Sequence, residues 1–228
     1  MAKTLFSVDT TTVMEELSRA DRRLARVIQR VGTFPTQKRK SQHPFVSLFR
    51  AIVYQQITGK AAETILNRVK TMIARDGFPT PAEILRASKV KLRRAGLSRQ
   101  KIAAAKDLAA KTLDGTVPPL AKLRRMDEEQ IIERLTKVRG IGVWSVQMFL
   151  IFQLGRTDVL PIEDYGVRKG FARVYGHKEV PKPKAVLEYG ERWRPYRSIA
   201  SWYLWRAAEE KQKKPQSPRK ARKTSASR

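Results

Sequence analysis

The sequence predicts an all-α protein, and three observations carry that prediction. No segment sustains the apolar–polar alternation with period two that marks a half-buried strand. Apolar residues recur instead at helical spacing, as Val13, Leu17, Leu24, Val27, Ile28 and Val31 in one stretch and Phe45, Leu48, Phe49, Ile52 and Val53 in another. Glycine and proline punctuate the chain between such stretches, at Gly77-Phe78-Pro79-Thr80-Pro81 and at Asp114-Gly115-Thr116-Val117-Pro118-Pro119.

Taken in order, residues 1–11 read as irregular, and the threonines at 10–12 offer a cap for a helix over 13–30. Residues 32–42, with Pro35 and Lys38-Arg39-Lys40, form a connecting loop, and His43-Pro44 leads into the next helix. That helix ends in Tyr54-Gln55-Gln56-Ile57-Thr58-Gly59, a polar helix end with one apolar residue before glycine. A helix over 60–75 follows, then short ones over 82–87 and 89–95, and Gly96-Leu97-Ser98 caps another over 99–113. Met126-Asp127-Glu128-Glu129 opens a helix whose Ile131, Ile132 and Leu135 face the core. Beyond a break at residues 138–142, an apolar run over 143–154 reads as one helix buried on nearly all sides. Helices over 165–175, 184–193 and 196–210 complete the series. Residues 211–228, rich in Lys, Arg, Ser and Pro, read as a disordered basic tail behind one helical domain over 1–210. No internal repeat is evident.

The chain has 228 residues, enough for one large or two small lobes, and a formal net charge of +27. Removing residues 211–228 takes away eight basic residues and leaves +19, so the excess belongs to the body of the protein. A body this basic favours a polyanionic partner. The absence of cysteine excludes disulfides, zinc ribbons and cysteine-held iron–sulfur clusters. No apolar run reaches transmembrane length and nothing suggests secretion, which leaves a cytoplasmic, nucleoid-associated or nuclear protein without a membrane partner. His43 and His177 are far apart in sequence and do not suggest a catalytic metal site.

Gly140 and Gly142 sit one residue apart between two helical segments, which suggests a tight hairpin. Such a turn leaves backbone N–H groups at the start of the second helix to hold a phosphate oxygen, with Arg139, Gly140, Ile141 and Gly142 as the candidate residues. The approach Val159-Leu160-Pro161-Ile162 then leads to the acidic pair Glu163-Asp164. A candidate phosphate clamp followed shortly by a carboxylate, on an otherwise basic chain, points to chemistry on nucleic acid. The plainer reading is that these acids cap the helix starting at Tyr165, and the residues alone leave both readings open.

VRGIGVWSVQMF and LPIEDYGVRKGF resemble the hairpin and the following aspartate-bearing loop of the helix–hairpin–helix (HhH-GPD) DNA glycosylase superfamily. VYQQIT and ERWRPYRSIASWYLWR are similar to its alkylated-base branch, the DNA-3-methyladenine glycosylase II type, and the likeness runs from about residue 44 to 206. The resemblance implies two helical lobes with a cleft between them, both chain ends in one lobe and the middle of the chain in the other. With about forty residues before Pro44, the extra N-terminal β domain of the long bacterial form is not expected. The hairpin motif is expected over about 127–154 and the catalytic loop over 155–166.

The resemblance also assigns roles: Asp164 as the catalytic carboxylate, Ile57 as a wedge into the duplex and Gln56 as the polar residue before it. Trp144 falls at the base pocket, and Tyr165, Trp193 and Trp202 are further aromatic candidates, whereas Trp205 reads as core. Bifunctional relatives carry a lysine where this chain has Trp144, so monofunctional hydrolysis is implied. The implied substrate is double-stranded DNA containing alkylated bases, bound by a monomer. No cofactor is implied, apart from a structural monovalent cation on the backbone carbonyls of Val138 and Gly140, with Thr136 or Arg139 as further ligands. A non-catalytic hairpin module that binds DNA, or a glycosylase for another lesion class, remains the alternative.

Overall fold

A computed structural model describes residues 6, 8–34 and 43–210, and within them it is helical with no strand. The helices are α1 Thr10–Ala20, α2 Arg22–Val31, α3 Pro44–Tyr54, α4 Gly59–Ile73, α5 Pro81–Arg86, α6 Lys89–Arg94 and α7 Arg99–Leu113. They continue as α8 Leu120–Leu123, α9 Glu128–Leu135, α10 Val143–Phe149, α11 Tyr165–Tyr175, α12 Pro183–Gly190 and α13 Arg197–Glu209. The connecting loop around Pro35 and the basic tail over 211–228 lie outside the described residues.

The starts are written locally. Thr58, Thr80, Ser88, Ser98 and Asp127 each accept a first-turn N–H of the helix that follows. Side chains from all parts of the chain share one buried apolar cluster, with Leu24, Leu48, Leu66, Leu108, Leu135, Val167 and Leu204 fully enclosed.

Three expected elements differ from what forms. The helix expected over 13–30 is two helices, because Asp21 takes an extended backbone (φ −149°) and caps α2. One carboxylate oxygen accepts Arg23 and Leu24 N–H at 3.0 Å each, and the other accepts the Tyr175 hydroxyl and, at 3.0 Å, Trp193 Nε1. Asp21 is only 4% exposed, and this buried anchor ties the N-terminal pair to α11 and to the turn after α12. Burial first, and the Asp21 carboxylate second, push the Tyr175 hydroxyl well above the usual tyrosine range. Asp21→Ala leaves four donors without acceptors, a change worth about 3–5 kcal/mol. A thermal melt should fall by roughly 10 °C; an unchanged melt would show that water replaces the carboxylate at no cost.

The second difference is the run over 143–154. Only residues 143–149 are α-helical; Leu150–Leu154 forms a π-helical turn, and Val143 and Trp144 at the start are exposed. The third is the segment over 184–193, where α12 passes into a 3-10 turn at Glu191–Trp193.

Two packing relations place the rest. α11 lies against α13 so closely that a Cβ on Gly170 would stand 1.9 Å from the Leu204 carbonyl oxygen. The start of α13 also holds the segment leading to Asp164: Ser198 N–H donates to Thr157 O (2.8 Å), Val159 N–H donates to Ser198 Oγ (2.9 Å), and Arg197 pairs with Asp158 at 2.7 Å.

Candidate functional site

Asp164 begins α11, with an extended backbone and its Oδ1 accepting Val167 N–H at 2.8 Å. The helix-capping reading is therefore correct, and it does not exhaust the residue. Oδ1 also accepts Trp205 Nε1 at 2.8 Å, and Oδ2 accepts Trp144 Nε1 at 2.8 Å. Three N–H donors from three helices thus converge on one partly exposed carboxylate. Glu163 is exposed and unpaired among the described residues, so nothing orients it.

The two indoles differ in their surroundings. Trp144 is 45% exposed at the first turn of α10, and Tyr165, one residue past Asp164, is 62% exposed. Trp205 is half-buried and stacks on Phe152 of the π-helical turn at 5.7 Å. The wider turn thereby supplies the platform beneath an aspartate-bound indole, in keeping with π turns at functional sites.

The aromatic expectations need correction at two positions. Trp193 does not line this site: it is fully buried, edge-on to Phe171 and Tyr189, with its N–H on Asp21. Trp205, expected in the core, reaches Asp164 alongside Trp144. Trp202 is half-buried, with Tyr203 and the Arg206 guanidinium as its ring partners.

The hairpin joins α9 to α10 through residues 136–142, closed by Ile141 N–H to Val138 O at 3.0 Å. Gly140 has φ +78°, which its missing side chain permits, and Ala104 on α7 lies beneath it. Gly142 has φ −96° with open space beside it, so only one of the two glycines meets a conformational demand. The four phosphate candidates divide likewise. Ile141 has its N–H engaged in the turn and its side chain buried, and Arg139 N–H donates to Asp107 at 2.7 Å. Gly140 and Gly142 keep exposed backbone with unpaired N–H groups among the described residues, and α10 starts without a side-chain cap. These free amides, with the exposed Arg139 side chain, can hold an anion at the positive end of a helix.

The carbonyls of Val138 and Gly140 each accept one N–H, from Ile141 and from Gln55 Nε2 (2.9 Å) respectively. Each keeps a second lone pair, a donor set suited to a monovalent cation. Among the described residues no group of three or more His, Asp or Glu could hold a metal ion.

The Gln55–Gly140 bond also sets the loop after α3 beside the hairpin. In that loop Gln56 is exposed with φ +58°, the one non-glycine residue at positive φ among the described residues, at a cost of about 1–2 kcal/mol. Ile57 is half-buried and packs on the core edge. A strained polar residue held outward beside the hairpin is the kind of outlier that points to function.

A family model described as "HhH-GPD superfamily base excision DNA repair protein" matches residues 49–195. The chain is 37% identical over 193 residues to DNA-3-methyladenine glycosylase 1 of Schizosaccharomyces pombe, covering 84% of this chain and 85% of that one. Among solved structures it is similar to the S. pombe 3-methyladenine DNA glycosylase in complex with abasic DNA, with TM-score 0.78 and 36% identity over 88% of this chain and all of that one. It is equally similar to a DNA-3-methyladenine glycosidase from Bacillus halodurans, with TM-score 0.78 and 34% identity over 86% of this chain and 89% of that one.

Proposed function

The chain belongs to the HhH-GPD superfamily of base excision DNA repair proteins, and from that premise we propose that it is a DNA-3-methyladenine glycosylase. It excises alkylated bases from double-stranded DNA. The observation that carries this reading is the convergence of Val167 N–H, Trp144 Nε1 and Trp205 Nε1 on the Asp164 carboxylate. A DNA-binding module without chemistry leaves that arrangement unused.

The proposed steps draw on this geometry. The free amides of Gly140 and Gly142 hold a backbone phosphate; a monovalent cation, when bound, would be held by the Val138 and Gly140 carbonyls and would supply positive charge beside it. The neighbouring loop presents Gln56 and Ile57 to the duplex as the lesion leaves the stack, filling the space with contacts that need no particular sequence. The electron-poor alkylated ring is gripped by aromatic faces, with Trp144 and Tyr165 as the exposed ones, and needs little hydrogen bonding. As the glycosidic bond lengthens, the sugar gains oxocarbenium character and the fixed charge of Asp164 stabilises it. Water completes the hydrolysis. No amine stands at the Trp144 position, which supports a monofunctional reaction of the type II glycosylase kind, carried out by a monomer.

Product analysis tests this. Borohydride should trap no covalent complex with methylated DNA, and the strand should stay whole until heated in alkali. A trapped complex or direct nicking would indicate an amine nucleophile. Binding should be nearly indifferent to sequence and should weaken roughly 10- to 1000-fold between about 50 and 200 mM salt, since phosphates are the main contacts. An affinity that holds steady across that range would contradict the phosphate clamp.

A further inference from the structure

Lys101 lies on α7, a helix that carries none of the residues assigned above. Its ammonium donates to Val53 O at 2.7 Å, in the last turn of α3, and to Gln55 O at 2.8 Å, on the residue that caps that helix just before Gln56. Burial pulls this ammonium below the usual lysine range. Six residues on, about 9 Å along the helix axis, Asp107 accepts the Arg139 N–H of the hairpin at 2.7 Å. Lys111, one turn further, pairs with Asp107 at 2.7 Å. One rigid helix therefore grips both the loop at the duplex and the phosphate clamp.

The grip falls at a telling place. The Gln55 carbonyl belongs to the peptide plane immediately before Gln56, whose φ of +58° is the strained point of the loop. On the other side, Thr58 caps α4 through Ala61 N–H (3.4 Å), and its carbonyl accepts Ala62 N–H (3.0 Å). Gln56 and Ile57 are thus held between two fixed ends. A lysine suits the first end because a compact ammonium with three donors can bridge two carbonyls.

We infer that Lys101 is a positioning residue for base extrusion: through Val53 O and Gln55 O it sets Gln56 and Ile57 at a fixed offset from the hairpin, and α7 conveys the seating of the hairpin to that loop. This rests on the reading that the loop enters the duplex. The simpler role for Lys101 is a cap on the C-terminus of α3, which would affect stability alone. The inference requires an effect on unstacking instead. The hairpin end of the same helix should behave differently, since Asp107→Ala loosens the clamp and weakens binding to damaged and undamaged duplexes alike.

The experiment compares Lys101→Met, which keeps the stem and removes the ammonium, with wild type on two duplexes. Each holds one alkylated purine beside 2-aminopurine, whose fluorescence rises on unstacking; in one the lesion is paired, in the other mismatched. The variant should excise the paired lesion about 10- to 100-fold more slowly, with its fluorescence rise slowed alike. It should excise the mismatched lesion within about threefold of wild type, because that base is already loosely stacked. Its hydrogen exchange should quicken over residues 55–59 alone. Equal slowing on both duplexes, no slowing on either, or faster exchange throughout the protein overturns the inference. If wild type raises the fluorescence without releasing base, the glycosylase reading fails, while the fluorescence difference between wild type and variant still decides the role of Lys101. If wild type releases base and Lys101→Met matches it in both signals, the glycosylase reading stands and the inference falls.

Discussion

Asp164→Asn should reduce base release by at least about 10²- to 10³-fold, the scale set by removing a preorganised charge from a developing ionic centre. The geometry keeps two of the three contacts to this residue in place. Asparagine is as good a helix cap as aspartate, and its oxygen can still accept Val167 N–H and Trp205 Nε1 in place of Oδ1. The amide nitrogen then stands at Oδ2 and meets Trp144 Nε1, donor against donor, so the exposed indole loses its tether. DNA affinity should stay close to wild type, since the hairpin amides are unaffected. Single-turnover rates near wild type would show that the charge resides elsewhere, and the exposed, unpaired Glu163 would be the next residue to replace.

Gly170→Ala should be the most damaging single methyl group in the fold. The added Cβ would lie 1.9 Å from Leu204 O and 2.6 Å from Leu204 C, both backbone atoms that no rotamer change can move. α11 and α13 must separate, at a cost of about 3 kcal/mol or more. The consequence reaches the chemistry, because α11 starts at Asp164 and α13 carries Trp205. Even where the variant folds, that 2.8 Å bond should lengthen, and excision should fall further than the fraction unfolded explains. A melt and a single-turnover rate on the same preparation check this; a melt within about 2 °C of wild type would mean that the helices part at little cost.

Much of this was legible in the chain. The caps, the glycine breaks and the helical periodicity predict most elements, since these are local signals. Asp164 as a helix cap could be read from its place before Tyr165, whereas its choice over Glu163 as the charged centre came from the family resemblance; the structure shows the cap and two further N–H donors on the same carboxylate. What sequence alone misses depends on rotation and depth. Trp193 and Trp205 are both tryptophans within a C-terminal aromatic segment, and nothing local separates the one bonded to buried Asp21 from the one bonded to Asp164. Trp205 falls on α13, but only the packing of α13 on α11 says which face meets the aspartate. Asp21 itself interrupts an otherwise continuous apolar stripe, and its role depends on partners more than 150 positions away. The Lys101 bonds span 46 and 48 positions and fall within an alanine-rich helix that looks like ordinary scaffold.

The central claim is that this chain hydrolyses the glycosidic bond of alkylated purines with the charge held at Asp164. The most direct test is to incubate the purified protein with methylated duplex DNA and identify the released free bases by chromatography. Free 3-methyladenine should appear with time in proportion to enzyme, and Asp164→Asn at equal concentration should release almost none. Tight binding without any free base from wild type, or equal release from the two proteins, would contradict the account.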